Sequence, residues 1–61
     1  MNDPEIQVGQ IWERNDDGTR VEVVHFDAMF DDVLWRTPDK ARRGWCYAFN
    51  FRQRYTLAVD A

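Results

Sequence analysis

The chain has 61 residues, room for one domain spanning 1–61, and a chain this short hides only about 60% of the surface its unfolded form exposes, so its core must be dense in large side chains. Aromatic residues supply 15% of the sequence and hydrophobic residues 44%, with 31% charged residues to keep it in solution, a balance that excludes intrinsic disorder. A single cysteine, Cys46, excludes an intramolecular disulfide and points to a reducing compartment, so the cytoplasm is the expected location.

The acidic segment Met1-Asn2-Asp3-Pro4-Glu5 lacks the basic and apolar regions of a signal peptide, and no apolar run approaches the ~20 residues of a membrane helix. Secretion and membrane insertion are therefore not expected. The net charge of −3 hides an asymmetry. Residues 1–32 carry nine acids against Arg14 and Arg20, whereas residues 33–61 carry six bases against Asp39 and Asp60. Strands from opposite halves that lie side by side would cancel this dipole in space.

Alternation of apolar and polar residues dominates the chain, interrupted at turn signals. Ile6 and Val8, then Ile11 and Trp12, change phase around Gly9, where a strand would bulge or bend, and Gln7 to Arg14 reads as a first strand. Asn15-Asp16-Asp17-Gly18 is a hairpin signal, because these residues tolerate the positive φ of tight turns. Thr19 to Phe26, dense in β-branched residues, reads as a second strand, with Val21, Val23 and His25 alternating against Glu22, Val24 and Phe26, so that the strand is either buried on both sides or paired with curled neighbours.

Asp27 to Thr37 admits two readings. Phe30, Val33 and Leu34 sit at helical spacing behind a cap at Asp27, but the β-formers before Pro38 favour a loop through Asp31-Asp32 and a third strand from Val33 to Thr37. Pro38 to Gly44 reads as an exposed charged loop. Beyond it Trp45, Tyr47 and Phe49 alternate against Cys46, Ala48 and Asn50, which predicts a strand. Phe51 to Arg54 suits a single helical turn and Tyr55 to Val59 a last strand. Five short strands with one turn before the fifth predict an all-β fold, a small five-stranded SH3-like barrel.

The run Gly9-x-x-Trp12, Gly18-x-x-Val21-x-Val23-Val24, Val33-x-Trp35-Arg36, Trp45 and Phe51 resembles short bacterial and phage single-domain proteins of unknown function with a predicted SH3-like barrel. These positions are apolar strand residues and turn glycines. The resemblance therefore implies a fold and transfers no catalytic motif.

The inventory argues against most enzyme chemistry. The chain contains no serine, and its one Cys and one His allow only a Cys46–His25 dyad, with nothing local to make the thiol reactive. No usual zinc set can be assembled from them, and no cofactor is expected. Asp27, Asp31 and Asp32 lack the Asp/Asn alternation and closing Glu of a calcium loop, so they read as a solvated loop and no metal site is assigned.

Binding is the expected activity. SH3-like barrels use strand-end aromatics to stack on ligands, and Trp12, Trp35, Trp45, Tyr47, Phe49 and Tyr55 form the pool, most of them needed for the core. Trp35 and Trp45 flank the basic loop, so the expected binding surface is Trp35, Arg36, Arg42, Arg43 and Trp45. A protein partner is the leading expectation. The alternative is nucleic acid, read by Arg36, Lys40, Arg42, Arg43 and Trp45, since phosphate-binding charge beside a stacking ring is what a nucleic-acid groove uses. Segregated charge would favour nucleic acid and intermixed charge a protein, and a homodimer is a further expectation because open barrels expose strand edges.

Overall fold

In the computed structural model, which describes residues 4–61, the chain forms β1 (Ile11–Arg14), β2 (Arg20–Asp27), β3 (Asp32–Arg36), β4 (Arg43–Tyr47), α1 (Ala48–Arg54) and β5 (Tyr55–Val59). Residues Met1 to Asp3 of the acidic N-terminal segment lie outside the described residues. The strands make one antiparallel sheet in the order β4-β3-β2-β1-β5. Strands β4 and β5 are its two edges and do not pair with each other, so the sheet is open. Among the described residues no helix is long and apolar enough to cross a membrane.

The β1–β2 hairpin forms where the turn residues require it. Gly18 takes a φ of +76° and its N–H donates to the Arg14 carbonyl at 2.8 Å, while the Asp17 carboxylate accepts the Thr19 N–H at 2.9 Å. Strand β1 starts at Ile11 and not at the expected Gln7. The reason is Gly9, whose φ of +97° bends the chain so that its N–H reaches the Val23 carbonyl at 2.9 Å instead of extending the strand.

Strand β2 resolves its two-faced pattern with a bulge. Val21 and Val23 point inward and are buried, the register against β3 shifts between Val23 and His25, and Phe26 then packs inward beside Val33. Val24 and His25 are left on the outside.

Two expectations near the C-terminus need correction. Alternation does not continue to Phe49 and Asn50, because β4 ends at Tyr47 and α1 starts at Ala48, three residues earlier than the single turn at Phe51. The helix forms because Ala48 and Phe51, one turn apart, both bury against the sheet. The turn before β3 also supports it: the Asp31 carbonyl accepts the Ala48 N–H at 2.7 Å and the Asp31 carboxylate accepts the Phe49 N–H at 3.4 Å. No side chain of α1's own leading residue does this.

The core gathers Ile6, Trp12, Val21, Val23, Val33, Ala48, Phe51 and Tyr55 between the curled sheet and α1. Phe51 stacks on Tyr55 with ring centroids 4.5 Å apart and meets the Trp12 ring edge-on at 5.1 Å, pairs worth about 0.5–1.5 kcal/mol each beyond their buried area. Gln10 is the one buried polar residue among those described, and both its amide atoms are satisfied. Its Oε1 accepts from Gln7 N–H at 2.8 Å and Trp12 Nε1–H at 2.9 Å. Its Nε2 donates to the Glu5 carbonyl at 2.9 Å and to Asp60 Oδ1 at 3.0 Å. That last bond holds the Asp60 carboxyl below its ordinary value.

Gly44 faces Trp35 across the β3–β4 ladder, and a Cβ at Gly44 would lie 2.6 Å from the Trp35 ring atom Cζ2. The indole therefore lies flat against the β4 backbone where no side chain stands. Gly44→Ala is expected to destabilise the protein by about 1–3 kcal/mol through overpacking. Urea unfolding of the variant measures this, and an unchanged midpoint would mean that Trp35 moves aside freely.

Candidate functional site: the outer face of β2, β3 and β4

The register sets three cross-strand rows on the outside of the sheet. Glu22, Arg36 and Arg43 make the first, His25, Leu34 and Trp45 the second, and Asp27, Asp32 and Tyr47 the third. Val24, pushed out at the bulge, joins the middle row. The centre of this face is apolar and open: Trp45 is 60% exposed, Tyr47 53%, Leu34 40% and Val24 36%. Trp45 and Tyr47 meet edge-on with centroids 5.3 Å apart. A hollow of about 420 Å³ is lined by Val24, Leu34, Trp35, Arg43, Gly44 and Trp45. Scattered exposed apolar side chains are ordinary on any protein, whereas these four stand together on one face of the sheet.

The five residues singled out from sequence divide between three places. Arg43 and Trp45 stand on the outer face of β4. Arg36 stands beside them on β3, where its Nε pairs with Glu22 Oε1 at 3.2 Å, so its charge is already met. Trp35 belongs to the opposite face of β3, half-buried and packed against the core, and also lines the hollow together with Gly44. Arg42 precedes β4 in an exposed loop, its backbone fixed by the Thr37 N–H donating to its carbonyl at 2.8 Å and its own N–H donating to Thr37 Oγ1 at 3.1 Å.

Charges on this face are mixed. The first row is basic on balance and the third is acidic, with only the width of the apolar centre between them. Elsewhere Arg14 pairs with Asp16 at 3.1 Å and Arg20 with Glu13 at 3.4 Å. Such exposed pairs contribute only about 0.2–1 kcal/mol each, but they leave both arginines of the acidic half spoken for.

One grouping differs from the sequence reading. Asp31 turns away to α1, and His25 takes its place beside Asp27 and Asp32, one donor atom from each lying within 4.8 Å of the others. Asp27 and Asp32 oppose each other directly in the ladder, and Asp32 Oδ1 is buried without a hydrogen-bond partner. Asp27 Oδ1 already accepts the Met29 N–H at 2.9 Å. An imidazole with two carboxylates is the donor set among the described residues that could hold a divalent cation. The sequence reading grouped Asp27, Asp31 and Asp32 as a solvated loop and left His25 out, because the phase change at the bulge, which turns His25 outward, has no residue signature.

Cys46 faces inward beside Val33, while His25 is exposed on the outer face, so the thiol and the imidazole stand on opposite sides of the sheet. Burial pushes the Cys46 thiol above its ordinary value, against a smaller opposing pull from Arg54. No family model matches the chain, and comparisons with curated proteins and with solved structures returned no match to it.

At about pH 8 the native protein is expected to react with a thiol-labelling disulfide more slowly than the urea-unfolded chain, because the thiolate is the reactive form. Equal rates would contradict an inward, packed Cys46.

Proposed function

We propose that this chain is a non-enzymatic interaction module, a small half-open SH3-like barrel whose outer β2–β3–β4 face docks on a protein partner in the cytoplasm. The observation that carries this reading is the exposed, in-register group Val24, Leu34, Trp45 and Tyr47. The strand order, with a short helix before the last strand, supports the SH3-like assignment, as does the resemblance to short bacterial and phage proteins; an accessory or phage-encoded factor is the kind of protein that would carry such a module. A partner that fits presents an apolar anchor to the hollow beside Trp45 and a carboxylate toward Arg43, the basic residue on this face without an ion-pair partner among the described residues.

The nucleic-acid reading is less well supported. A polyanion needs a face of one sign, whereas Arg36 is paired with Glu22, and Asp27 and Asp32 share the same face. Of the cations assigned to that reading, Lys40, Arg42 and Arg43 are left, at or beside the β3–β4 turn with a single exposed tryptophan next to them.

Peptides selected on the immobilised protein from a displayed library are expected to share an apolar anchor, and Leu34→Asp is expected to weaken their binding about thirtyfold, the size of a hot-spot loss. Fluorescence anisotropy with labelled single- and double-stranded oligonucleotides provides the opposing test. Salt-sensitive oligonucleotide binding that disappears when Arg42 and Arg43 become Ala, with no peptide selected, would replace the protein partner by nucleic acid.

A further inference from the structure

The backbone bonds that bracket the β3–β4 ladder reveal which way the β4 edge points. The Thr37 N–H donates to the Arg42 carbonyl and the Ala48 N–H to the Asp31 carbonyl, at the two ends of a ladder that runs without a shift from Asp32 opposite Tyr47 to Arg36 opposite Arg43. Antiparallel pairs alternate between hydrogen-bonded and non-bonded, so the pairs Val33–Cys46 and Trp35–Gly44 are the bonded ones. Gly44 and Cys46 therefore turn their N–H and C=O groups to β3. Arg43, Trp45 and Tyr47 turn theirs to the other flank, where no strand pairs with β4. That flank opens on a second hollow, of about 160 Å³, lined by Arg14, Trp35, Trp45, Cys46, Arg54 and Tyr55. A row of free backbone groups on an open edge is a template for another strand.

The charge order on the outer face says which strand fits. One end carries Arg36 and Arg43, the other Asp27 and Asp32, with Leu34 and Trp45 between. A two-fold rotation about an axis through the β4 edge reverses this order and sets the basic end of one copy against the acidic end of the next. Only residues that turn their backbone outward can exchange bonds, and centring on Trp45 is the alignment that uses all three. Trp45 then faces the partner's Trp45 at the axis, and Arg43 faces the partner's Tyr47, where its guanidinium can lie on the ring and reach toward the partner's Asp32. On the inner side Gly44 meets the partner's Cys46, a small residue against a small one.

We propose that β4 pairs antiparallel with β4 of a second copy, centred on Trp45, joining two open sheets into one continuous ten-stranded sheet. The contact is isologous, as closed two-fold symmetry requires. It rests on the reading of the outer face as an interaction surface and extends it: the two apolar patches merge around the axis into one bivalent face.

Sedimentation velocity over a rising concentration series is expected to show a reversible monomer–dimer equilibrium. Trp45→Pro, which deletes one donor from each strand at the axis, is expected to raise the dissociation constant at least about tenfold while the circular dichroism spectrum stays that of the folded chain. Cysteine cross-linking gives a readout that does not depend on that variant folding. In a Cys46→Ala background, Trp45→Cys is expected to oxidise to a disulfide dimer, since residues facing each other across a bonded antiparallel pair stand within disulfide reach, whereas Leu34→Cys, on the same face but one strand further in, is expected to stay reduced. Cross-linking through Leu34→Cys and not Trp45→Cys would overturn edge pairing in favour of face-to-face packing. A wild-type chain that stays monomeric at millimolar concentration would overturn the dimer alone if Leu34→Asp still weakens peptide binding, and would take the interaction-face reading with it if no peptide binds.

Discussion

The contact of the Trp35 indole with the bare backbone of Gly44 fixes the rest of the site. A side chain at position 44 would occupy the space that the ring fills, so β3 and β4 align with these two residues opposite each other. A one-residue slip would bring Arg43 or Trp45 against the ring and turn every side chain of β4 to the wrong face. From that register follow the inward Cys46, the outward Arg43, Trp45 and Tyr47, and the direction of the free backbone groups at the edge. A half-buried tryptophan and a glycine thus decide where a different, exposed tryptophan can act.

The remaining core holds this half of the sheet to the other. Trp12, Phe51 and Tyr55 join β1, α1 and β5 through ring contacts, and Gln10 ties the segment before β1 to the end of β5 with four hydrogen bonds on one amide. Loss of that amide would orphan the Trp12 indole N–H in the core, a penalty of about 1–3 kcal/mol. β1 and β5 pair with each other while β4 pairs with β3 alone, and the ring contacts of the core gather on the β1–β5 side of the sheet. At the β4 edge Trp45 and Tyr47 stay exposed.

Much of this was legible in the residues. Tyr55–Val59 forms the last strand expected there, Asn15 to Gly18 turns where expected, and β2 and β3 lie within one residue of their expected bounds at each end. The departures have local causes. Gly9 takes a left-handed conformation that ends the strand pattern running through it, and the bulge at Val24 follows from strand pairing and not from residue type. The early start of α1 depends on Asp31, seventeen residues before Ala48, and a window of local sequence cannot contain that contact. Arg43 was legible as exposed because it sits in a charged stretch bounded by Pro38 and Gly44, and Trp45 was singled out because it flanks that stretch, although Arg43 proves to be the first residue of β4. Trp35 was not, because its inward direction depends on the glycine opposite it in space, and Leu34 and Val24 joined the face only once the register was known.

Amide hydrogen exchange along β4, followed residue by residue at low and high protein concentration, tests the account most directly. Gly44 and Cys46 are expected to be protected at every concentration, and Arg43, Trp45 and Tyr47 to exchange quickly in dilute solution and to gain protection as concentration rises. Equal protection of all five amides in dilute solution would contradict the account. The outer flank of β4 would then be covered within a single chain, and neither the open edge nor the face built around it would stand.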